Sequence, residues 1–141
     1  MIRIVEISQK DDGLLQQFLK KATEARKSFR YFETRDISIL KNHLYTILVL
    51  EDEIPVGYGH LDYEENIWLG ICVADENQGK GIGKLIMTDL IENAKNKKLE
   101  KVRLTVDKAN KSAIRLYEKN GFEIVDSSKE HYLLMENRLL A

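Results

Sequence analysis

The chain reads as an α/β fold of the α+β kind, a mixed and mostly antiparallel sheet of about seven strands with helices on both faces. Three observations carry that expectation. Ile67 to Val73 is a short, β-branched apolar run, as a buried strand requires, and a polar connector and a glycine-rich loop lead from it into a helical pattern. Upstream of it, Tyr45–Glu51 and Ile54–Tyr63 read as strands joined only by tight turns, which makes them an antiparallel meander with the central strand. Downstream, Lys101 to Val106 alternates cleanly after a helix, and a strand reached through a helix lies parallel to the one before it.

Taken in order, Arg3 to Ser8 reads as a first strand. Asp11 or Asp12 caps a helix with Leu14, Leu15, Phe18, Leu19 and Ala22 at helical spacing. Ser28 to Arg35 is dense in aromatics and arginine, and Ile37, Leu40 and Leu44 suggest a second short helix. Asp52-Glu53 and Glu64-Glu65-Asn66 are the hairpin turns, and Pro55 starts a strand, where proline is tolerated. Ile82, Leu85, Ile86, Leu90 and Ala94 form one face of the helix after the loop. Lys108 to Asn120 is a helix stopped by Gly121, and Phe122–Val125 and His131–Glu136 close the chain as strands.

Composition bounds the function. The 141 residues suit one buried core, so a single domain over 1–141 is expected, with no repeat or linker. A net charge of −1 gives no basic excess for nucleic acid. One cysteine excludes an internal disulfide and suits a reducing cytosol. No stretch approaches membrane-spanning length and the N-terminus does not read as a signal peptide, so a cytoplasmic protein without membrane or metal partners is the expectation.

Gln78-Gly79-Lys80-Gly81-Ile82-Gly83-Lys84 sits where a strand gives way to a helix. Unpaired N–H groups and the positive end of the helix dipole make such a junction an anion site, and glycines let the main chain approach a phosphate. The spacing fails a Walker loop, since Gly79 and Gly83 are one residue too close and Leu85 stands where a hydroxyl is needed. It fails a dinucleotide fingerprint at its last glycine. Gln78-x-x-Gly81-x-Gly83 instead resembles the Gln/Arg-x-x-Gly-x-Gly/Ala loop of the GNAT N-acetyltransferase superfamily. Asn110-Lys111-Ser112-Ala113-Ile114-Arg115-Leu116-Tyr117, followed by Gly121-Phe122, resembles that family's second signature. The resemblance covers 67–125 by motif and the first half by layout.

That resemblance implies a three-layer fold in which the central strand (67–73) and the strand 101–106 splay apart. It implies acetyl-CoA as co-substrate, its pyrophosphate on residues 78–84 and its pantetheine arm on backbone groups of Ile71 and Val73. Asn110 joins this cofactor set, and Tyr117, two helical turns on, becomes the acid for the departing thiolate. Each also has a plain structural reading, Asn110 as an N-cap and Tyr117 as a core residue. Asp75 replaces the family's usual proline or similar residue in the connector, a mild departure.

Acetyl transfer to an amine needs a base, because an alkylammonium has a pKa near about 10. Relatives often carry a carboxylate at the start of the central strand, but Ile67 stands there. Glu65, in the same phase, is the candidate, with His60, Asp62 or a water chain as others. Cys72 reads as core. On the acceptor side, Phe29, Arg30, Tyr31 and Arg35 are candidate substrate contacts, the arginines for an anionic group. Against that stands packing of Phe29 and Phe32, with Arg30 and Arg35 paired to Glu33 or Asp36. The acceptor is a small metabolite amine or a peptide N-terminus, and a homodimer fits family analogy. The alternative function is a catalytically idle CoA-binding sensor or interaction module.

Overall fold

The computed structural model describes residues 1–140. Seven strands form one sheet: β1 (Ile2–Glu6), β2 (His43–Glu51), β3 (Ile54–Glu64), β4 (Asn66–Val73), β5 (Lys101–Asp107), β6 (Glu123–Asp126) and β7 (Tyr132–Arg138). Their order is β1-β2-β3-β4-β5-β7-β6, all antiparallel except the β4–β5 pair. The β2–β3 turn holds Asp52 and Glu53 at φ 50 and 70, the left-handed conformation that a tight hairpin needs.

Alternation along β2 divides the interior. Ile47 and Val49 face α2 (Ile82–Asn96) and α3 (Lys111–Lys119), in a core with Leu61, Leu69, Leu104 and Met135. Leu48 and Leu50 face α1 (Asp12–Lys21), which buries Leu15, Phe18 and Leu19 against them and Tyr58. Each such side chain contributes about 1.5–3 kcal/mol on burial. Asp11 is the N-cap of α1, one of the two expected positions, but its side chain makes no bond to that helix. Ser8 and Asp11 form a reciprocal capping box on a single 3-10 turn (Gln9–Asp11) that feeds the helix.

Three helical expectations are corrected. Residues 37–42 form a 3-10 turn and Leu44 already belongs to β2, because the backbone is extended from His43. On α2, Leu85 is 38% exposed, and Met87 and Ile91 are buried in its stead. The buried stripe is 82, 86, 87, 90, 91, 94, and Leu85 falls beside it. α3 begins at Lys111, three residues later than expected.

α2 lies close because β3 presents glycines beneath it. A Cβ on Gly59 would stand 2.5 Å from Ile86 Cγ2 and 3.1 Å from Leu90 Cδ1. Gly59→Ala should therefore destabilise the fold by about 1–3 kcal/mol through overpacking. In Ile86→Ala the obstructing methyl is gone, so the double variant should lose less than the two single losses added together. Urea unfolding of the four proteins measures this, and strict additivity would contradict the contact.

Candidate active site

The central strand is paired along the whole of one edge and at a single position on the other. Ala74 N–H donates to Val56 O at 2.8 Å, continuing the β3–β4 register. Hydrogen-bonded and non-bonded pairs alternate along an antiparallel ladder, and this register has no bulge. Cys72 and Gly70 therefore also turn their peptide groups to β3, while Ile71 and Val73 turn theirs away, toward β5. Bonding to β5 is sparse on that side, where the strands share the single pair Trp68↔Arg103. On its other edge β5 pairs with β7 over its whole length, Lys101↔Arg138 to Asp107↔Tyr132, and Arg103 Nε reinforces this with a 2.9 Å bond to Glu136. The result is a wedge, closed at Trp68 and open at Val73, as the splay expectation requires.

The glycine loop stands at the open end. Gln78 Nε2 donates to the outward-turned Val73 carbonyl at 3.3 Å, tying loop to strand. Gly79 and Gly81 have φ 78 and 83, and nothing lies within 4 Å of a Cβ at either. Gly81 is the N-cap of α2 and has no side chain to satisfy the first-turn N–H groups of Ile82, Gly83 and Lys84. Lys80 and Lys84 are exposed beside it. At Gly83 a Cβ would meet Leu116 Cδ2 at 3.6 Å, which α3 places against the start of α2, and Val73 Cγ2 at 3.9 Å.

Tyr117 is buried in the core beside Phe122, with ring centroids 5.8 Å apart. Burial pushes its phenol up to about 12, and Cys72 adds a smaller upward push. Asn110 is the N-cap of α3, its Oδ1 accepting from Ala113 N and Ser112 Oγ at 3.3 Å. Cys72 is buried and its thiol is pushed up to about 12, chiefly by burial, so it is no nucleophile at neutral pH. Glu65 is exposed at the β3–β4 turn with φ 61. It stands six residues from Ile71, about 20 Å along a strand, and the turn breaks the phase that linked it to Ile67. That position does not suit a base in the wedge.

The arginine-rich segment folds as two 3-10 turns (Ala25–Lys27 and Tyr31–Glu33) against the other sheet face. Arg30 pairs with Asp107 at 3.2 Å and also donates to the Lys27 carbonyl. Arg35 lies 4.3 Å over the Tyr31 ring and 3.6 Å from Glu64. Both guanidiniums thus have carboxylate partners, though not Glu33 or Asp36. Phe29 and Phe32 pack on Tyr58, with centroids 5.6 and 5.4 Å away. Asp75 accepts from Thr23 Oγ1, Glu24 N and Ala25 N, each at 2.9 Å, and so ties this segment to the connector before the loop.

Under these rings lies a chain of polar groups. Tyr31 Oη contacts Asp62 Oδ2 at 2.5 Å and His43 Nε2 at 2.7 Å, and His43 Nδ1 contacts Thr46 Oγ1 at 2.8 Å. The one phenolic proton goes to the carboxylate, so His43 Nε2–H donates to Tyr31 and Thr46 donates to Nδ1. Alongside, Tyr58 Oη, fully buried, has only His60 Nδ1 as partner, at 2.7 Å, which places the His60 proton on Nε2. A Cβ on Gly70 would stand 2.5 Å from that Nε2, so glycine is required there.

His43 is held down at about 4, by burial first and then by the Arg35 cation. His60 is pushed well below its ordinary value, again by burial first. A histidine depressed in the folded state adds stability above its unfolded pKa of about 6.5, lost as pH falls through the folded value. Urea midpoints should therefore decline from pH 6.5 toward pH 4, and His43→Gln should flatten the decline. Equal slopes in both proteins would contradict the neutral, buried imidazole.

The acetyltransferase (GNAT) family model matches residues 11–122. A protein from Bacillus subtilis (strain 168) named "Uncharacterized N-acetyltransferase YobR" is 41% identical over 76 residues, 54% of this chain and 27% of that protein. The L-amino acid N-acetyltransferase AaaT of Escherichia coli (strain K12) is 35% identical over 65 residues, 45% of this chain and 40% of that protein. The matched segment thus spans about a quarter to two fifths of these curated relatives. Among solved structures, PaiA N-acetyltransferase from Thermoplasma acidophilum in complex with coenzyme A superposes with TM-score 0.75 at 21% identity, over 98% of this chain and 99% of that one. With a family model matching most of its length and the fold to go with it, the chain belongs to the acetyltransferase (GNAT) family.

Proposed function

We propose that this chain, as a single domain, is an acetyl-CoA-dependent N-acetyltransferase acting on a primary amine of a small metabolite or a peptide N-terminus. The observation that carries the reading is the open edge of β4 running into the N-terminus of α2. The residues present fit the co-substrate. Uncovered N–H groups at Ile82, Gly83 and Lys84, with Gly79, Gly81, Lys80 and Lys84, suit a pyrophosphate. Ile71 and Val73 offer backbone groups to an amide-bearing arm, and Gln78 braces the loop that meets it. Asn110 sets the start of α3 and with it the position of Tyr117.

Acetyl-CoA, when bound, supplies an activated acetyl thioester. The chain's share is to hold it, to aim an outward N–H of β4 at the developing oxyanion, and to exclude water. Tyr117, kept protonated by burial, donates a hydrogen bond to the departing sulfur. The neutral Cys72 thiol leaves direct attack by the amine as the route. A lone buried thiol also fits a reducing, cytoplasmic setting.

A thiol-release assay with acetyl-CoA and a panel of primary amines tests the reading, with the acetylated amine confirmed by mass. Tyr117→Phe should lower kcat by about 10²-fold, the low end for acid–base groups, and leave the acetyl-CoA KM unchanged. Wild-type turnover by this variant would return Tyr117 to a packing role. CoA binding with no transfer to any amine would favour the idle module.

A further inference from the structure

Asp62 is 1% exposed, and its two oxygens differ. Oδ2 takes the Tyr31 hydroxyl, whereas Oδ1 is buried with no partner. Among the described residues Asp62 enters no ion pair, and the nearby Arg35 is committed to Glu64 and to the Tyr31 ring. Tyr31 brings a neutral donor, and burial together with Asp62 holds its proton on more firmly than in water. A carboxylate taken out of water without a cation is costly, and its unfilled oxygen calls for a positively charged donor.

The location says which donor. Asp62 is the cross-strand partner of Trp68, and Trp68↔Arg103 is where the wedge closes. Anything that enters beside the α2 loop and runs down the open edge of β4 ends at that pair, with Asp62 one strand away across Trp68. Tyr31 and Trp68 are both only half-buried, and a shift of the Trp68 ring alone would leave the Tyr31–Asp62 bond and the sheet intact.

We propose that Asp62 Oδ1 receives the primary ammonium group of the acceptor. The proposal rests on the transferase reading and adds to it the residue that selects a cationic amine. The ammonium supplies the charge that the buried carboxylate lacks, and Tyr31, steadied by His43, Thr46 and Arg35, holds the carboxylate in one orientation.

The test does not depend on turnover. Trp68 is the single tryptophan of the chain, so its fluorescence reports on the partner of Asp62. Titration of wild-type protein with n-propylammonium, with and without saturating CoA, should give a saturable change that n-propanol does not. Asp62→Asn, matched to wild type in circular dichroism and melting, should raise the half-saturation by about 30-fold or more. L-alanine and a tripeptide amide, titrated the same way, separate a free amino acid from a peptide N-terminus as the source of the ammonium. In the transfer assay the variant should raise the acceptor KM and leave the acetyl-CoA KM unchanged. A saturable response that survives Asp62→Asn, or no response to n-propylammonium with or without CoA, would overturn the proposal even if the enzyme transfers acetyl groups.

Discussion

One constraint underlies the rest of the structure: β4 is hydrogen-bonded along one edge, and the other is left open beyond the single pair Trp68↔Arg103. β5 meets that edge at the single pair Trp68↔Arg103, while its opposite edge is paired with β7 over seven residues, with Arg103–Glu136 holding that pair. β3 cannot release the first edge, because its glycines let α2 lie directly on it. An unpaired peptide group inside a protein is normally costly. The Val73 carbonyl takes Gln78, and the rest of the edge faces the gap that the proposed function assigns to the co-substrate.

The two sheet faces divide the chemistry. The face under α2 and α3 is apolar throughout its core, which holds the first turn of α2 through Ile82 and buries Tyr117 of α3. The face under α1 carries Tyr31, His43, Thr46, Tyr58, His60 and Asp62 within an aromatic cluster. Nearly every polar atom there has a partner, and the directed hydrogen bonds leave Asp62 Oδ1 without one. A network of this kind rigidifies the segment above it, and Asp75 fastens that segment at its other end.

The parts legible in the sequence were those encoded locally. The change from strand period to helix period at residues 73–82, the glycine pattern of the loop and the meander turns all lie within a few residues of one another. The second signature, 110–122, was legible in the same way, and its Asn110 proved to cap α3 by an ordinary side-chain bond. What failed depended on distant partners or on phase carried through a turn. Glu65 was matched to Ile67 by alternation, but a left-handed residue resets the alternation. Arg30 and Arg35 find Asp107 and Glu64 instead of near neighbours. Asp75 looked like a mild departure, yet its three donors come from residues about fifty positions earlier. His60 and Asp62, two apart on one strand face, were a visible signal; their partners Tyr31 and His43 were not.

The open edge of β4 is most directly tested by amide hydrogen exchange at single-residue resolution, with and without acetyl-CoA. Gly70 and Cys72, bonded to β3, should exchange slowly in both states. Ile71 should exchange fast in the free protein and become protected when acetyl-CoA binds. Equal protection of Ile71 in the two states would show that the edge is closed by the protein itself, and the account built on it would fail.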